Sequence, residues 1–363
     1  MNILIVAPEQ IPVPGNGSVE ICIIAIAKQL ANKHKVTIVS RASKGLPAQS
    51  NEGGVTIARV PSGSAKVYIA SVLRFIQGKF FDVIQVDNRP HYMASIQQAF
   101  PKMKVTLFLH SLTFVPAASS VARSLRHAKL IIANSSSLKQ KLINRFPDVA
   151  QKIRTVELGV DTGRFHPATQ ADRARYRKKH GIDDRYTALF VGRVIPRKGV
   201  PILLKAASIA RKEIPLQVVV AGRGSASYMK QLRAMASKLN VPVKWLGKQK
   251  HSDIHKVYQA ADCFVCPSQK HEAFGLVNVE AMASGLPVIA SKIGGIPEIV
   301  KHEGSGFLVE DYWRAERFAQ YLIRLGKKKE LGRSMGTKAR SSVIQHFTWR
   351  QTADRLMSIY LHK

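Results

Sequence analysis

The chain has 363 residues, 45% of them hydrophobic, and its 56 Lys and Arg against 23 Asp and Glu give a formal net charge of +33. This length suits two hydrophobic cores. The sequence contains no run of the ~20 apolar residues that a membrane-spanning helix requires. Its opening residues lead into a turn and not into the cleavage site of a signal peptide. Three cysteines in apolar surroundings argue against a disulfide framework or a four-ligand zinc site, so we expect a cytoplasmic two-domain protein with an acidic partner.

Short apolar runs alternate with longer amphipathic runs, which predicts βαβ units and parallel sheets. Predicted strands of the first half are residues 3–7, 36–40, 83–86, 105–109 and 130–133, with a helix at 19–32. After the turn-rich segment 158–167 and the basic run 172–180, strands are predicted at 187–191, 216–221, 243–246, 263–266 and 287–290. We therefore predict an α/β fold of two Rossmann-like domains, residues 1–165, completed by a closing helix at 347–363, and residues 166–346.

A glycine-rich loop follows the first strand, where ligands of doubly wound sheets bind. The backbone amides of Gly15 and Gly17 can approach a phosphate ahead of the next helix. The loop is not a Walker loop, because Ser18 stands where Lys is needed, and Glu20 replaces the third small residue of a dinucleotide fingerprint. A plain turn is the alternative interpretation.

The first strand of the second half ends in Phe190-Val-Gly-Arg-Val-Ile-Pro-Arg-Lys-Gly199, which is rich in cations. Arg193, Arg197 and Lys198 at a strand end would neutralise a diphosphate. In a protein this basic, a solvated loop is the alternative interpretation.

Two carboxylates occur in an otherwise small and apolar segment that follows the predicted strand 263–266. Glu272 comes just after the strand, and Glu280 lies eight positions later on a predicted helix. This spacing is slightly more than two helical turns, so both can face one cleft. Carboxylates suit the hydroxyls of a ribose or hexose, which predicts a polyhydroxyl ligand; surface ion pairs are the alternative.

These segments resemble the retaining glycosyltransferases of family four, which have the GT-B fold of two Rossmann-like domains facing across a cleft. The resemblance rests on Glu-Ala-Phe-Gly-Leu…Glu at 272–280, Gly-Arg…Arg-Lys-Gly at 192–199, Gly-Gly-Ile-Pro-Glu-Ile at 294–299, Asn134-Ser135, and the loop Pro14-Gly-Asn-Gly17. The opening Ala-Pro-Glu-Gln-Ile-Pro-Val-Pro-Gly also resembles spore-coat-associated bacterial members. Residues 1–165 would then be the acceptor domain and residues 166–346 the nucleotide-sugar donor domain.

The resemblance also implies roles for individual residues. Glu280 would bind the donor ribose and Glu272 the sugar hydroxyls, while Arg193 and Lys198 would hold the diphosphate. Backbone amides around Phe274, Gly275 and Leu276 would contact the sugar and diphosphate, and His110 would lie against the sugar from the other domain. Taken alone, a histidine at a strand end is more often structural.

The resemblance implies transfer with retention from a UDP-sugar co-substrate, without a cofactor, to a hydroxyl acceptor in cell-envelope, spore-coat or other glycan synthesis. No Asp-x-Asp pair is present, and fixed cations and amides can stabilise the leaving diphosphate, so we expect a metal-independent reaction. A nucleotide-sugar epimerase and a non-catalytic basic polymer-binding protein are the alternatives.

The excess positive charge exceeds what one diphosphate can use. A segment of the first half carries six basic residues that suit an anionic or lipid-linked acceptor or peripheral contact with an anionic membrane: Arg123, Arg126, Lys129, Lys139, Lys141 and Arg145. Simple solubility is the alternative. Nucleic-acid binding ranks last, because both halves share the charge and no recognised nucleic-acid motif accompanies it.

Overall fold

The computed structural model describes residues 1–11 and 17–361, which form two compact units. The first unit runs to Leu158 and includes the C-terminal helix, and the second comprises Gly159–Thr348. The strands of the first unit are β1 (Asn2–Val6), β2 (Lys35–Arg41), β3 (Gln49–Glu52), β4 (Val55–Val60), β5 (Val83–Asp87), β6 (Val105–Leu109), β7 (Leu130–Ala133) and β8 (Ile153–Thr155). Its helices before the second unit are α1 (Ser18–Ala31), α2 (Ala65–Ile76), α3 (Pro90–Ala99), α4 (Ser119–Arg126) and α5 (Ser136–Arg145).

The sheet of the first unit has the order β3-β4-β2-β1-β5-β6-β7-β8 within the described residues. All neighbouring strands are parallel except β3 and β4, which form an antiparallel hairpin. Sequence analysis did not predict this hairpin, because β3 is polar (QSNE) and half exposed. The strand order reverses between β1 and β5, and in doubly wound sheets the carboxyl ends of the strands at such a point are where ligands bind.

The second unit has an all-parallel sheet. Its strands are β9 (Tyr186–Val191), β10 (Leu216–Ala221), β11 (Val243–Gly247), β12 (Cys263–Cys266), β13 (Val288–Ser291) and β14 (Gly306–Val309). Its helices are α6 (Gln170–His180), α7 (Val200–Ala210), α8 (Ala226–Lys238), α9 (Ile254–Gln259), α10 (Leu276–Ala283), α11 (Ile296–Ile299), α12 (Ala315–Lys327) and α13 (Lys329–His346). The order β11-β10-β9-β12-β13-β14 reverses between β9 and β12.

Both units are thus Rossmann-like, as the alternation of runs predicted. Strands such as β10 and β12 are buried along their whole length, which is why they read as continuous apolar runs without polar alternation. Cys263 and Cys266 are buried free thiols on β12, in keeping with the apolar surroundings that the sequence gives them.

The basic run that follows the turn-rich segment forms helix α6. Thr169 caps its N-terminus by accepting a hydrogen bond from the Asp172 backbone amide, and none of its residues is buried. Arg173 and Arg177 instead bind Asp262 at 2.7 and 3.4 Å, which anchors the helix by charge.

The tail returns to the first unit as helix α14 (Trp349–Leu361). Its Thr352 hydroxyl donates to the Glu157 carbonyl at 2.9 Å. A second hydrogen bond, from Lys104 Nζ to the Tyr360 carbonyl at 2.9 Å, holds its last turn. Across residues 1–11 and 17–361, no helix combines the length and apolar character needed to cross a membrane.

Candidate functional site

Two loops of the second unit meet where its strand order reverses. The loop after β9 carries Lys198, and the loop after β12 carries Glu272. A backbone hydrogen bond of 2.8 Å from Gln269 N to Arg197 O ties the two loops together. The reversal point of a doubly wound sheet is where such loops diverge enough to hold a ligand.

Lys198 and Glu272 form an ion pair at this point. Lys198 Nζ lies 2.5 Å from Glu272 Oε1, and the two side chains are only 17% and 12% exposed. The buried Ser268 hydroxyl also donates to Glu272 Oε1 at 3.0 Å. The carboxylate is therefore oriented by two donors from different segments, as a preorganised binding group would be.

A glycine turn after β13 holds the Glu272 backbone. Gly294 has φ +62°, and a Cβ added to it would lie 2.0 Å from the Glu272 carbonyl oxygen. Gly295 N donates to that carbonyl at 2.9 Å. The Gly-Gly-Ile-Pro-Glu turn thus lets the backbone approach closely enough to position Glu272.

Glu280 is the acidic residue of α10, a helix whose neighbouring side chains Val279, Ala281 and Met282 are fully buried. It is 8% exposed, and its Oε2 accepts a hydrogen bond of 2.8 Å from the Tyr258 hydroxyl. Burial raises the Glu280 pKa to about 7, although Tyr258 and Arg164 favour the ionised form. No described residue donates to the second oxygen, so it remains available to a ligand hydroxyl.

Gly275 is the N-cap of helix α10, and its φ of +101° is one that only glycine adopts readily. A Cβ there would lie 2.7 Å from Asn278 Nδ2. Phe274 is buried and packs edge-on against Phe347 at 6.1 Å between ring centroids, so its side chain belongs to the core. Leu276 is the first residue of the helix, where backbone amides lack partners within the helix.

Sequence analysis missed three residues here: Tyr258, which contacts Glu280, Arg164, whose charge acts on Glu280, and His251, which contacts Arg164. Both terminal nitrogens of Arg164 contact the His251 ring, at 3.3 and 3.1 Å. Burial and Arg164 lower the His251 pKa to about 4, so the ring is neutral at pH 7. His251 follows β11, and its place after a strand end was the one signal in the sequence that could have pointed to it.

Arg193 lies in the exposed part of the loop after β9. The side chain has no ion-pair or hydrogen-bond partner within the described ranges, whereas Lys198 is half-buried and paired. Arg193 therefore presents an uncompensated guanidinium at the carboxyl edge of the sheet.

His110 lies in the first unit, directly after β6. Its Nε2 is 2.8 Å from Asp87 Oδ1, and its ring stacks on Phe108 at 4.5 Å. Its backbone is also held, since its amide donates to Asn88 Oδ1 at 2.8 Å and Asn134 Nδ2 donates to its carbonyl at 3.2 Å. The sequence signal for Asp87 was an acidic residue at the end of the neighbouring strand.

The glycine loop of the first unit is only partly described. Gly17 precedes α1 with φ −80° and ψ 103°, a conformation open to any residue, and its carbonyl accepts from Ile21 N at 3.0 Å. Gly15 lies outside the described residues.

The second unit thus has a cation–carboxylate pair and a free guanidinium in the loops that follow its strands, and a buried carboxylate on helix α10. These groups suit a ligand with both anionic and hydroxyl groups. Within the described part of the chain, no three His, Cys, Asp or Glu side chains form a cluster that could hold a metal ion.

Known proteins share both sequence and fold with this chain. Residues 172–342 match the family described as "Glycosyl transferases group 1", and residues 17–164 match "Glycosyltransferase Family 4". The chain is 30% identical over 376 residues to "Putative glycosyltransferase YtcC" of Bacillus subtilis (strain 168), covering 99% of this chain and 92% of that protein.

Two further similarities also extend over the whole chain. "Spore coat protein SA" of the same organism is 29% identical, with 99% of each chain covered. The solved structure of Anabaena Alr3699/HepE in complex with UDP superposes with a TM-score of 0.82 at 22% identity, with 99% of each chain covered. The fold is the GT-B type that the resemblance implied.

Proposed function

Because this chain belongs to the group 1 glycosyl transferases of the family-four type, and is therefore a transferase, we propose that it moves a hexosyl group from a UDP-sugar to a hydroxyl acceptor in glycan synthesis. The observation that carries the proposal is the Lys198–Glu272 pair together with the buried Glu280 on α10, the helix that follows Glu272. A cation for the diphosphate and carboxylates for hydroxyls are the groups a nucleotide-sugar needs. The UDP in the Anabaena structure supports uridine as the base.

In the proposed mechanism, protein cations stabilise the leaving diphosphate and no divalent metal is needed. Arg193 and Lys198 offset the charge that develops as the anomeric bond breaks, because fixed donors need little reorganisation. The acceptor hydroxyl attacks on the face that the leaving group departs from, and a diphosphate oxygen takes its proton. The new bond therefore keeps the configuration of the donor.

An assay with UDP-sugars and simple glycan acceptors tests this proposal. We expect UDP release that depends on acceptor, survives excess chelator, and yields a product whose anomeric coupling in proton NMR matches the donor. Loss of transfer with chelator and recovery with Mg²⁺ or Mn²⁺ would disprove the metal-independent mechanism. Conversion of the donor without any acceptor would indicate an epimerase instead.

We also propose that the first unit docks on anionic lipid at the cytoplasmic face of a membrane, where a lipid-linked acceptor would lie. The six basic residues singled out in the sequence lie on α4, on α5 and between them. Arg126 pairs with Asp148 at 3.1 Å, and Arg145 donates to the Val115 carbonyl. Both side chains therefore already have partners within the protein. The other four carry no ion pair within the described ranges.

Vesicle sedimentation tests this docking. The protein should bind anionic but not neutral vesicles, and binding should fade with salt, because surface charges are screened within ~10 Å at 0.1 M. Replacing the four unpaired residues Arg123, Lys129, Lys139 and Lys141 with Gln should weaken binding at least ~10-fold, since each contributes ~1 kcal/mol near the surface. A control with Lys205, Lys212, Lys230 and Lys238 of the second unit changed to Gln loses the same charge. Equal losses in both variants would contradict docking through α4 and α5.

A further inference from the structure

A chain of buried polar side chains runs from the C-terminal helix to His110. The Tyr360 hydroxyl donates to Gln85 Oε1 at 2.6 Å, and Gln85 Nε2 donates to Asp87 Oδ2 at 2.7 Å. Asp87 Oδ1 lies 2.8 Å from His110 Nε2. Gln85 and Asp87 are two residues apart on β5 and so face the same side of the sheet. The chain therefore links α14, β5 and the residue after β6.

Every member of this chain is buried. Gln85 is 0% exposed, Asp87 1%, Tyr360 3% and His110 8%. Buried polar groups are costly unless each finds a partner, and here each group finds one in the next. Because water cannot replace these partners, the four buried side chains keep one arrangement of donors and acceptors.

The hydrogen bonds on both sides of Asp87 are donated towards its carboxylate. The two oxygens of the Asp87 carboxylate can only accept hydrogen bonds, so the amide nitrogen of Gln85 must face one of them. The amide oxygen then faces Tyr360, whose hydroxyl donates to it. At its other oxygen Asp87 requires a proton on His110 Nε2, and in the neutral tautomer that carries this proton Nδ1 is the acceptor atom.

We propose that Gln85 and Tyr360 are positioning residues that act through Asp87 to set the tautomer and orientation of His110. The importance of this tautomer for catalysis rests on the proposed function and on the family resemblance, which implies that His110 lies against the donor sugar. Tyr360 supports the direction of the Gln85 amide by donating to its oxygen, and Gln85 holds the Asp87 carboxylate by donating to one of its oxygens. The last turn of the C-terminal helix thereby controls a side chain 250 positions earlier in the sequence.

Asp87→Asn tests whether Tyr360 and Gln85 set the tautomer of His110, because the asparagine side chain has one acceptor end and one donor end. While the Tyr360 hydroxyl donates to the Gln85 oxygen, the Asn oxygen should face the Gln85 NH₂ and the Asn NH₂ should face His110 Nε2. The ring proton should therefore move to Nδ1, as happens when an Asp that orients a catalytic histidine is changed to Asn. Tautomers are read from the ring nitrogen shifts of ¹⁵N-histidine-labelled protein above the pKa of the ring, with His110→Asn to assign the signal.

Adding Tyr360→Phe to Asp87→Asn should reverse the outcome. Without the hydroxyl, the Gln85 amide can turn its oxygen towards the Asn NH₂, so the Asn oxygen can face His110 and the proton can return to Nε2. Tyr68→Phe is the matched control: Tyr68 is also fully buried in the first unit and donates a 2.6 Å hydrogen bond, to the Ala7 carbonyl. The double variant with Tyr68→Phe should keep the proton on Nδ1. An identical tautomer with and without Tyr360→Phe would overturn the proposal.

Single variants provide a test if Asp87→Asn does not fold. Tyr360→Phe alone should shift the His110 Nε2 nitrogen resonance, while Tyr68→Phe should leave it unchanged and lower the melting temperature to a similar extent. Equal responses of the resonance to the two variants would mean that Tyr360 is merely structural.

Transfer kinetics test whether the tautomer of His110 matters for catalysis, separately from whether Tyr360 and Gln85 set it. Asp87→Asn should lower kcat at least ~10-fold with little change in donor KM, and adding Tyr360→Phe should restore part of it. Tautomers are measured without substrate, so tautomer changes that leave kcat unaltered would reject the catalytic role of His110 and leave the orienting chain intact.

Discussion

Lys198→Ala and Arg193→Ala should each reduce the turnover of sugar transfer about 100-fold. Removing one fixed donor that stabilises charge in a transition state costs this order of rate. The two residues differ in setting, since Lys198 is paired with Glu272 and Arg193 is exposed without an ion pair in the described part of the chain. Steady-state kinetics with a UDP-sugar, monitored as UDP release, measures the effect.

Loss of Lys198 also leaves the Glu272 carboxylate without its cation, so stability must be measured alongside turnover. Lys198→Ala should lower the melting temperature, because a largely buried carboxylate is left uncompensated, while Arg193→Ala should not. Lys205→Ala, an exposed lysine on α7, is the control for general loss of charge. If Arg193→Ala and Lys198→Ala slow transfer no more than Lys205→Ala, the diphosphate is held elsewhere.

Glu280→Gln should weaken donor binding and stabilise the fold at the same time. Replacing the carboxylate that accepts from a ribose hydroxyl should cost ~1.5–3 kcal/mol of binding. Glu272→Gln should instead lower turnover with a smaller change in donor affinity. Isothermal titration with UDP and UDP-sugars measures the difference, and unchanged affinity in Glu280→Gln would contradict the ribose assignment.

The stabilising effect follows from the sign of the Glu280 pKa shift. Its pKa is raised from 4.5 to about 7 in the folded protein, so between these values the native state holds a proton that the unfolded state has lost. The free energy of unfolding therefore falls as the pH rises from 4.5 to 7, by up to roughly 3 kcal/mol. Glutamine removes this penalty and keeps an oxygen for Tyr258.

Denaturant titrations at two pH values check the prediction. Glu280→Gln should raise the free energy of unfolding at pH 8 and change it little at pH 4.5. Glu316→Gln, a largely exposed glutamate of α12, is the control and should show neither effect. A destabilised Glu280→Gln at pH 8 would mean that the carboxylate is a structural group and not a binding group held at a cost.

The positions of the strand-end residues were predictable because parallel α/β units follow simple rules. Apolar runs correctly located β6, β7, β10 and β12, and the residues after a parallel strand must lie at one edge of its sheet. His110, Lys198 and Glu272 could therefore be assigned to strand ends from the sequence. The polar β3 and the surface helix α6 lacked an apolar pattern that would have revealed them.

The sequence by itself determined the two Rossmann-like units, their strand-end loops and the family, because these depend on local periodicity and on motifs contiguous in the chain. Only the tertiary structure decided which side chains meet. Lys198 meets Glu272 because the strand order of the second unit reverses between β9 and β12. Tyr360 meets Gln85 because α14 returns to the first unit. Such contacts join residues 74 and 275 positions apart. Hydrophobic periodicity describes neighbouring residues in the chain and cannot predict contacts over such separations. The same packing buries Glu280 beside Tyr258 and so raises its pKa, which no local pattern could predict.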